Sequence, residues 1–390
     1  MNLISPTPQS VASPIKADDI TVLHTRIVTG TGGGPEKTIF NSPRYMRGSG
    51  YNELACYLRP PGDVGFETLR RRAAEKDCPL IEVDDASAFS PASLRRLAAI
   101  CREHDVKVWH GHDYKTNLFG VLLKPLLGFK LVTTVHGWVK HTAKTPLYYA
   151  VDRWTLPRHD QVIVVSADLF DRCRACGVPE DRLHLIENAI DTEDFKRAGP
   201  AAEAPLRRGV PPGRLLIGAV GRLSPEKGFD LLIQAVASLI DAGLDLELWI
   251  AGDGDERERL EIQAAATGHG DWIRLLGFQA DTVALFESLD LFCLSSLREG
   301  LPNVVLEAMA MEVPVVATRC GGIDAFGHDG VDMLTVEAGS ADALANGLRK
   351  LAGDAATRLR LAQAARRRIE DEFSFRRRMD RMTEVYGLLW

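Results

Sequence analysis

Residues 215–228 read Leu215-Leu216-Ile217-Gly218-Ala219-Val220-Gly221-Arg222-Leu223-Ser224-Pro225-Glu226-Lys227-Gly228. The first six are an apolar run of strand length. A charged turn with proline and glycine follows at once, and after it a helical-length segment. This is one βα unit, and the chain repeats it: short apolar or β-branched runs alternate with helical segments throughout, as βαβ units in a parallel sheet require. Upstream, Ile20–Val28, Glu53–Leu58, Leu80–Val83, Val106–His110, Leu131–Val135, Val162–Val165 and His184–Ile186 read as strands. Downstream the pattern starts afresh, with Leu215–Val220, Leu246–Ala251, Ile273–Leu276, Leu291–Leu294, Val313–Ala317 and Met333–Val336. Between the series, Thr192–Arg214 is rich in Ala, Pro, Gly and charge and has no periodicity, which reads as an exposed linker. The expected fold is α/β, with two Rossmann-like doubly wound parallel-sheet domains facing a cleft. Residues 1–17 read as a loose tail, 18–195 as the first domain, 196–371 as the second and 372–390 as a closing helix.

The chain has 390 residues, 45% hydrophobic and 26% charged. That suits two domains of about 100–200 residues and excludes a disordered or fibrous chain. With 47 Lys+Arg against 53 Asp+Glu the formal charge is −6, so no global pull toward nucleic acid exists. Residues 1–200 carry 26 basic and 24 acidic side chains (+2), which leaves 21 and 29 (−8) for 201–390. No stretch reaches the ~18–20 apolar residues that cross a bilayer; Leu118–Phe129 comes nearest and is interrupted by Lys124 and Pro125. A cytoplasmic protein is expected. The mildly basic first half and the run Val121–Leu127, with Lys130, Lys140 and Lys144 nearby, also suit a peripheral contact with anionic lipid. A buried helix explains the apolar run equally well. The 7 cysteines read as reduced thiols, and Cys173-x-x-Cys176 lacks the second pair that a zinc site needs.

In open α/β sheets ligands bind beyond the carboxyl ends of the strands, so the residues after each apolar run carry the chemistry. After the first strand comes Gly30-Thr31-Gly32-Gly33-Gly34-Pro35-Glu36-Lys37. Its glycines allow close backbone approach, and the helix it enters offers free N–H groups to an anion; a plain tight turn is the alternative. In the second half, Arg222 and Lys227 stand where both can clamp a diphosphate, Arg as a planar fork and Lys as a point charge. A solvated charged turn is the alternative there. In Glu299-Gly300-Leu301-Pro302-Asn303-Val304-Val305-Leu306-Glu307, Pro302 suits the first turn of a helix to about Met311. That places the N–H groups of Gly300, Asn303 and Val304 at the ligand end. Glu299 and Glu307 beside them suit sugar and ribose hydroxyls flanking a phosphate, against simple decoration of the helix dipole. Asp253-Gly254-Asp255 lies at a βα turn before the helical Glu256–Ala266, so no metal is expected. His110 and His112 alternate along a strand end and share a face, with a cleft-wall role and a structural role both open.

Taken together, Gly33-Gly34-x-Glu36, Arg222 with Lys227, the Gly252-Asp253-Gly254 turn and the two glutamates in their Gly-Leu-Pro-Asn context resemble glycosyltransferase family 4, retaining nucleotide-sugar enzymes of the GT-B fold. The resemblance runs from about Asp19 to Trp390. It implies that Arg222 and Lys227 hold the donor diphosphate, with Gly300, Asn303 and Val304 beside it and Gly33 and Gly34 opposite. Glu299 would bind hydroxyls of the transferred sugar and Glu307 the ribose. His136, in Thr134-Val135-His136-Gly137, matches the family's active-site histidine near the sugar; a structural strand-end histidine is the alternative. The resemblance further implies that residues 372–390 cross back to the first domain. It also implies a UDP-sugar or other nucleotide-sugar donor, a saccharide or lipid-linked acceptor, no metal and no further cofactor. Two segments depart from the family pattern. Gly321-Gly322-Ile323-Asp324-Ala325 replaces Gly-Gly-x-Pro-Glu, and Asn188-Ala189-Ile190-Asp191 replaces Pro-Asn-Gly-x-Asp. The rival readings are a nicotinamide-dependent oxidoreductase, for which Gly252-x-Gly254 lacks the third glycine, and an inactive scaffold subunit of a polysaccharide assembly complex.

Overall fold

The computed structural model describes residues 19–87, 90–137, 145–207, 209–279, 281–299 and 302–390. One sheet joins β1 (Ile20–Ile27), β2 (Tyr51–Arg59), β3 (Leu80–Asp84), β4 (Val106–Gly111), β5 (Lys130–Val135), β6 (Gln161–Val164) and β7 (Leu183–Leu185), in the order β3-β2-β1-β4-β5-β6-β7. The other joins β8 (Leu215–Val220), β9 (Leu246–Ala251), β10 (Ile273–Gly277), β11 (Leu291–Leu294), β12 (Val315–Thr318) and β13 (Leu334–Val336), in the order β10-β9-β8-β11-β12-β13. Every pairing is parallel. Both sheets reverse their winding between the first strand and the fourth, β1 beside β4 and β8 beside β11. Crevices at such switch points are where doubly wound sheets take ligands.

The first series of helices is α1 (Gly34–Met46), α2 (Phe66–Glu75), α3 (Pro91–Glu103), α4 (Tyr114–Leu127), α5 (Thr145–Thr155) and α6 (Ala167–Ala175). The second is α7 (Phe229–Asp241), α8 (Arg257–Ala266), α9 (Thr282–Ser288), α10 (Asn303–Ala310), α11 (Gly322–Phe326), α12 (Ala341–Ala352), α13 (Ala355–Glu372) and α14 (Phe375–Gly387). Their limits follow local chemistry. Asp113 caps α4 by accepting from the N–H groups of Lys115 and Thr116, both at 3.0 Å, and Gly128 ends it in the left-handed region at φ 73°. On α7 the stripe Leu232, Ile233, Val236, Leu239 and Ile240 is buried against the second sheet.

Two compact units result, one ending at Glu187 and taking in Arg378–Trp390, the other Asn188–Arg377. The sequence places these divisions at 195/196 and 371/372. Ile190 donates to the Phe373 carbonyl at 2.9 Å and accepts from Phe375 at 2.8 Å, which ties 188–191 to 372–377 within the second unit, and Thr192–Arg214 is held on that unit instead of hanging free. The guanidinium of Arg197 donates to the carbonyls of Glu287 and Leu289 at 2.8 Å each, Arg207 pairs with Asp290 at 2.7 Å, and Arg366 donates to the carbonyls of Phe195 and Thr192 at 2.6 and 3.1 Å. Aperiodic, charged sequence reads as solvated, yet here the charge satisfies backbone carbonyls.

Among the described residues no helix is long and apolar enough to cross a membrane. The run Val121–Leu127 falls in α4, where Leu123 is buried, Leu122 and Leu126 are exposed, and Lys124 pairs with Asp160 at 2.7 Å. Lys140, Lys144 and the tail 1–17 lie outside the described residues. All the cysteines are free thiols, and burial pushes that of Cys173 up to about 12.

Candidate functional site

The second unit builds its site from backbone that only glycine permits. Gly221 donates its N–H to Ala251 at 3.0 Å, and Gly252, at φ 145°, lies so close that a Cβ there would overlap the Gly221 carbonyl. Leu223 donates to the carbonyl of Asp253 at 3.0 Å and accepts from Glu256 at 3.1 Å. The Gly252-Asp253-Gly254 turn thus braces the turn that carries Arg222, a role its sequence does not announce. Asp253 turns its own carboxylate onto the N–H of Gly254 at 2.9 Å.

From the neighbouring strand, the loop after β11 is stitched to the same turn. Leu297 donates its N–H to the Glu226 carbonyl and the Ser295 hydroxyl donates to that of Lys227, each at 2.8 Å. This brings the Lys227 ammonium to 2.5 Å from Glu299 Oε1, which also accepts from the Ser296 hydroxyl at 2.7 Å. The pair is mostly covered, with side chains 21% and 11% exposed. Arg222 is exposed, and its guanidinium has no hydrogen bond or ion pair among the described residues. The Gly321-Gly322 pair belongs here too. The Gly321 backbone presses on the Glu299 carbonyl, and Gly322 donates to that carbonyl at 3.3 Å.

Pro302 is the N-cap of α10 (φ −76°, ψ 119°) and not a residue of its first turn; the extended ψ starts the helix one position later, at Asn303. The amides of Asn303 and Val304 have no acceptor within the helix, and Asn303 Oδ1 is buried without a hydrogen-bond partner. Gly300 and Leu301 lie outside the described residues. Glu307 stands inside α10 and is 1% exposed, so the two glutamates differ: Glu299 keeps an 11% exposed side chain on Lys227, and Glu307 is fully covered.

In the first unit the glycine-rich turn is knit by carboxylates. Gly33 and Gly34 are exposed, but the Gly33 N–H donates to Glu36 at 2.5 Å, and Glu36 in turn pairs with Arg26 at 2.6 Å. Asp63 accepts from Gly30 at 2.7 Å and from Gly65 at 3.0 Å. As an anion cradle the turn therefore loses its Gly33 amide to the chain's own Glu36, the spacing of a capping box.

Behind that turn stands a group of histidines. His24 of β1 faces His110 of β4 in register, His112 follows β4, and His136 follows β5. His24 Nδ1 lies 2.9 Å from His112 Nε2, and His112 Nδ1 lies 3.1 Å from His136 Nε2. His24 Nε2 approaches Glu53 Oε1 at 3.2 Å. His110 spends both nitrogens elsewhere, on the Tyr386 hydroxyl at 2.7 Å and the Thr134 hydroxyl at 2.8 Å. Burial holds His110, His112 and His136 well below the usual imidazole range, so they are neutral at pH 7; for His136 the positive charges of Arg26 and Arg378 add to the effect. Nitrogens of His24, His110 and His112 come within 4.8 Å of one another. Their ring centroids lie 4.6–5.2 Å apart with planes inclined by 10–30°, but His110 gives both nitrogens to Tyr386 and Thr134 and His112 gives both to His24 and His136, so a metal there would have to displace these bonds. His110, His112 and His136 are legible from the sequence. His24 and Glu53 are not, because only strand order and register set β1 between β2 and β4.

Comparison with known proteins agrees with this architecture. Residues 32–194 match the family model described as Glycosyltransferase Family 4, and residues 214–354 match that of Glycosyl transferases group 1. The chain is 31% identical over 331 residues to D-inositol 3-phosphate glycosyltransferase of Salinispora arenicola, covering 77% of this chain and 72% of that one. It is 37% identical over 156 residues to the lipopolysaccharide core biosynthesis glycosyltransferase LpsE of Rhizobium meliloti, a match that spans only 45% of the relative's length and 40% of this chain. Among solved structures, Anabaena HepE in complex with UDP superposes with a TM-score of 0.78 at 21% identity, covering 94% of this chain and all of that one, a likeness of fold.

Proposed function

We propose, from the premise that this chain belongs to glycosyltransferase family 4 and has the GT-B fold, that it moves a sugar from a UDP-sugar to a hydroxyl of a saccharide or lipid-linked saccharide with retention of configuration. Family membership ends the oxidoreductase reading. The name of LpsE, a lipopolysaccharide core enzyme, supports a saccharide acceptor, and the UDP bound by HepE supports the uridine donor.

The observation that carries the proposal is the Lys227–Glu299–Ser296 cluster beside the unpaired Arg222, at the switch point of the second sheet. When a nucleoside diphosphate leaves an anomeric carbon, negative charge builds on the phosphate and positive charge on the sugar. Preorganised cations aimed at the phosphate are then the largest source of rate. Lys227 has three N–H donors and gives one to Glu299, so it can hold the carboxylate and a phosphate oxygen together. Arg222 adds a planar fork, and the amides of Asn303 and Val304 add two donors without a metal. The second oxygen of Glu299 is left to accept from a sugar hydroxyl; the family resemblance gives His136 a place near the transferred sugar as well. Glu307 reaches the ribose only if ligand binding uncovers its carboxylate. The acceptor attacks from the face the phosphate leaves, and a donor phosphate oxygen takes its proton, so no side chain serves as general base.

Donor hydrolysis by the purified protein over UDP-, GDP- and ADP-sugars, with and without a chelator, tests this reading. Turnover of a UDP-sugar that a chelator leaves unchanged, and a product of retained configuration, are expected. An inverted product, or activity lost to the chelator and restored by manganese, overturns the mechanism. Failure to bind or turn over any donor leaves the scaffold reading.

A further inference from the structure

The buried row that ends at His136 has a direction, and Glu53 sets it. Glu53 is 2% exposed, and neither of its carboxylate oxygens has a hydrogen bond; His24 Nε2 stands 3.2 Å from Oε1, close but without hydrogen-bond geometry. A ring-nitrogen lone pair turned toward a buried carboxylate at 3.2 Å is repelled by it, whereas an N–H there is attracted, so the proton of His24 belongs on Nε2. A neutral imidazole carries one proton, and the nitrogen that lacks it can only accept. With a single proton, on Nε2, His24 presents Nδ1 as an acceptor to His112 Nε2, 2.9 Å away; a second proton on His24 would turn that bond round. His112 then presents Nδ1 as an acceptor to His136 Nε2 at 3.1 Å. Each ring passes the same constraint to the next. His110 does not interrupt the row, since its nitrogens go to Tyr386 and Thr134.

We propose that Glu53, His24 and His112 are positioning residues that hold His136 as its Nε2–H tautomer, so that His136 Nδ1 is an obligate acceptor for a ligand hydroxyl. Among the described residues His136 Nδ1 has no hydrogen-bond partner. An acceptor of fixed orientation at the end of β5 selects a sugar hydroxyl that donates, and it repels a phosphate oxygen, which cannot. The ligand part of this inference rests on the proposed function, in which His136 meets the transferred sugar; the tautomer part rests on the geometry of the row alone. A carboxyl-protonated Glu53 that donated to His24 would reverse every bond in the row and put the proton of His136 on Nδ1. The two directions are therefore experimentally opposite.

The test is nitrogen NMR of the full chain with labelled histidine at neutral pH, with rings assigned by subtraction using His24→Gln, His112→Gln and His136→Gln. Three neutral rings protonated on Nε2 are expected for the wild type. A proton on Nδ1 of His136, an imidazolium, or a mixture of tautomers there overturns the proposal without any variant. In Glu53→Gln the amide can donate as well as accept, so His136 should become a tautomer mixture, and kcat should fall about tenfold with donor KM little changed. A single Nε2–H form with unchanged kcat in that variant overturns the proposal as well. Should Glu53→Gln fail to fold, His112→Asn cuts the row at its middle and carries the same two outcomes. Near-normal transfer by His136→Gln would remove the proposed function's use of His136, while the wild-type spectrum would still decide the row.

Discussion

The turns after β1 and β8 occupy equivalent places in two sheets of the same winding, and they are finished in opposite ways. After β8, glycines let three backbone segments touch, and the cations stay at the strand exit: Lys227, mostly covered, on Glu299, and Arg222, exposed and unpaired. After β1, Glu36 and Asp63 satisfy the turn's own amides, and the polar groups retreat inward as a row of neutral rings on Glu53. The difference teaches that a switch point does not dictate a ligand. A turn that keeps its cations at the strand exit suits phosphate charge, whereas one that neutralises itself and offers buried imidazoles suits uncharged hydroxyls.

The contrast breaks most readily at Lys227 and Arg222. Lys227→Ala and Arg222→Ala should each lower transfer by roughly 10²–10³ while the protein stays folded. Arg70→Ala, which removes an exposed pairing with Glu67 and Glu82 in the first unit, should leave turnover unchanged, as surface pairs contribute ~0–1 kcal/mol. Steady-state rates beside circular dichroism decide it, and near-normal turnover in either of the first two removes the clamp. Next in size is the backbone. Gly252→Ala should destabilise the second unit by about 2–4 kcal/mol, from the forced φ and the overlap with Gly221. Gly33→Ala, whose Cβ meets only the Glu36 carboxylate at 3.7 Å, should cost under about 1 kcal/mol. Urea titration of both variants reads this, and equal losses would erase the distinction between the turns.

The last contrast is the response to acid. His110, His112 and His136 have folded pKa values well below the usual ~6.5, and that of His159 is lowered to about 4, in each case chiefly by burial. Such groups bind more protons when unfolded. Stability is therefore complete above about pH 6.5 and is lost as pH falls toward the folded values, by about 1.4 kcal/mol per pH unit for each histidine. Hydrogen exchange from pH 7.5 to 5 should show β1, β4 and β5 losing protection before β8 and β9. Simultaneous loss in both sheets would contradict the placement of this linkage in the first unit.

Much of this was legible residue by residue. The limits of β8, β9 and β11 coincide with the runs Leu215–Val220, Leu246–Ala251 and Leu291–Leu294, because strands covered on both faces carry near-continuous hydrophobic sequence, broken here only by Glu247 of β9. The run at Val313 fails by two residues: Pro314 has no N–H for the ladder, and β12 starts after it, at Val315. Arg222, Lys227 and Glu299 were recoverable since each sits at a strand exit inside a short contiguous motif. The arginine-pinned segment 192–214 was not, because a guanidinium that seeks carbonyls and one that seeks water look alike in sequence.

The order of elements, the family and the location of the cationic turn were settled by the chain's local pattern, since apolar period, turn residues and motif spacing act over a few neighbours. The union of Lys227 with Glu299, the brace supplied by Gly252-Asp253-Gly254 and the direction of the row from Glu53 to His136 were decided only in three dimensions. Each depends on which strands pair and in what register, and hydrogen bonds between residues far apart in sequence, such as His24 and His112 or His110 and Tyr386, leave no periodic trace in the chain that makes them.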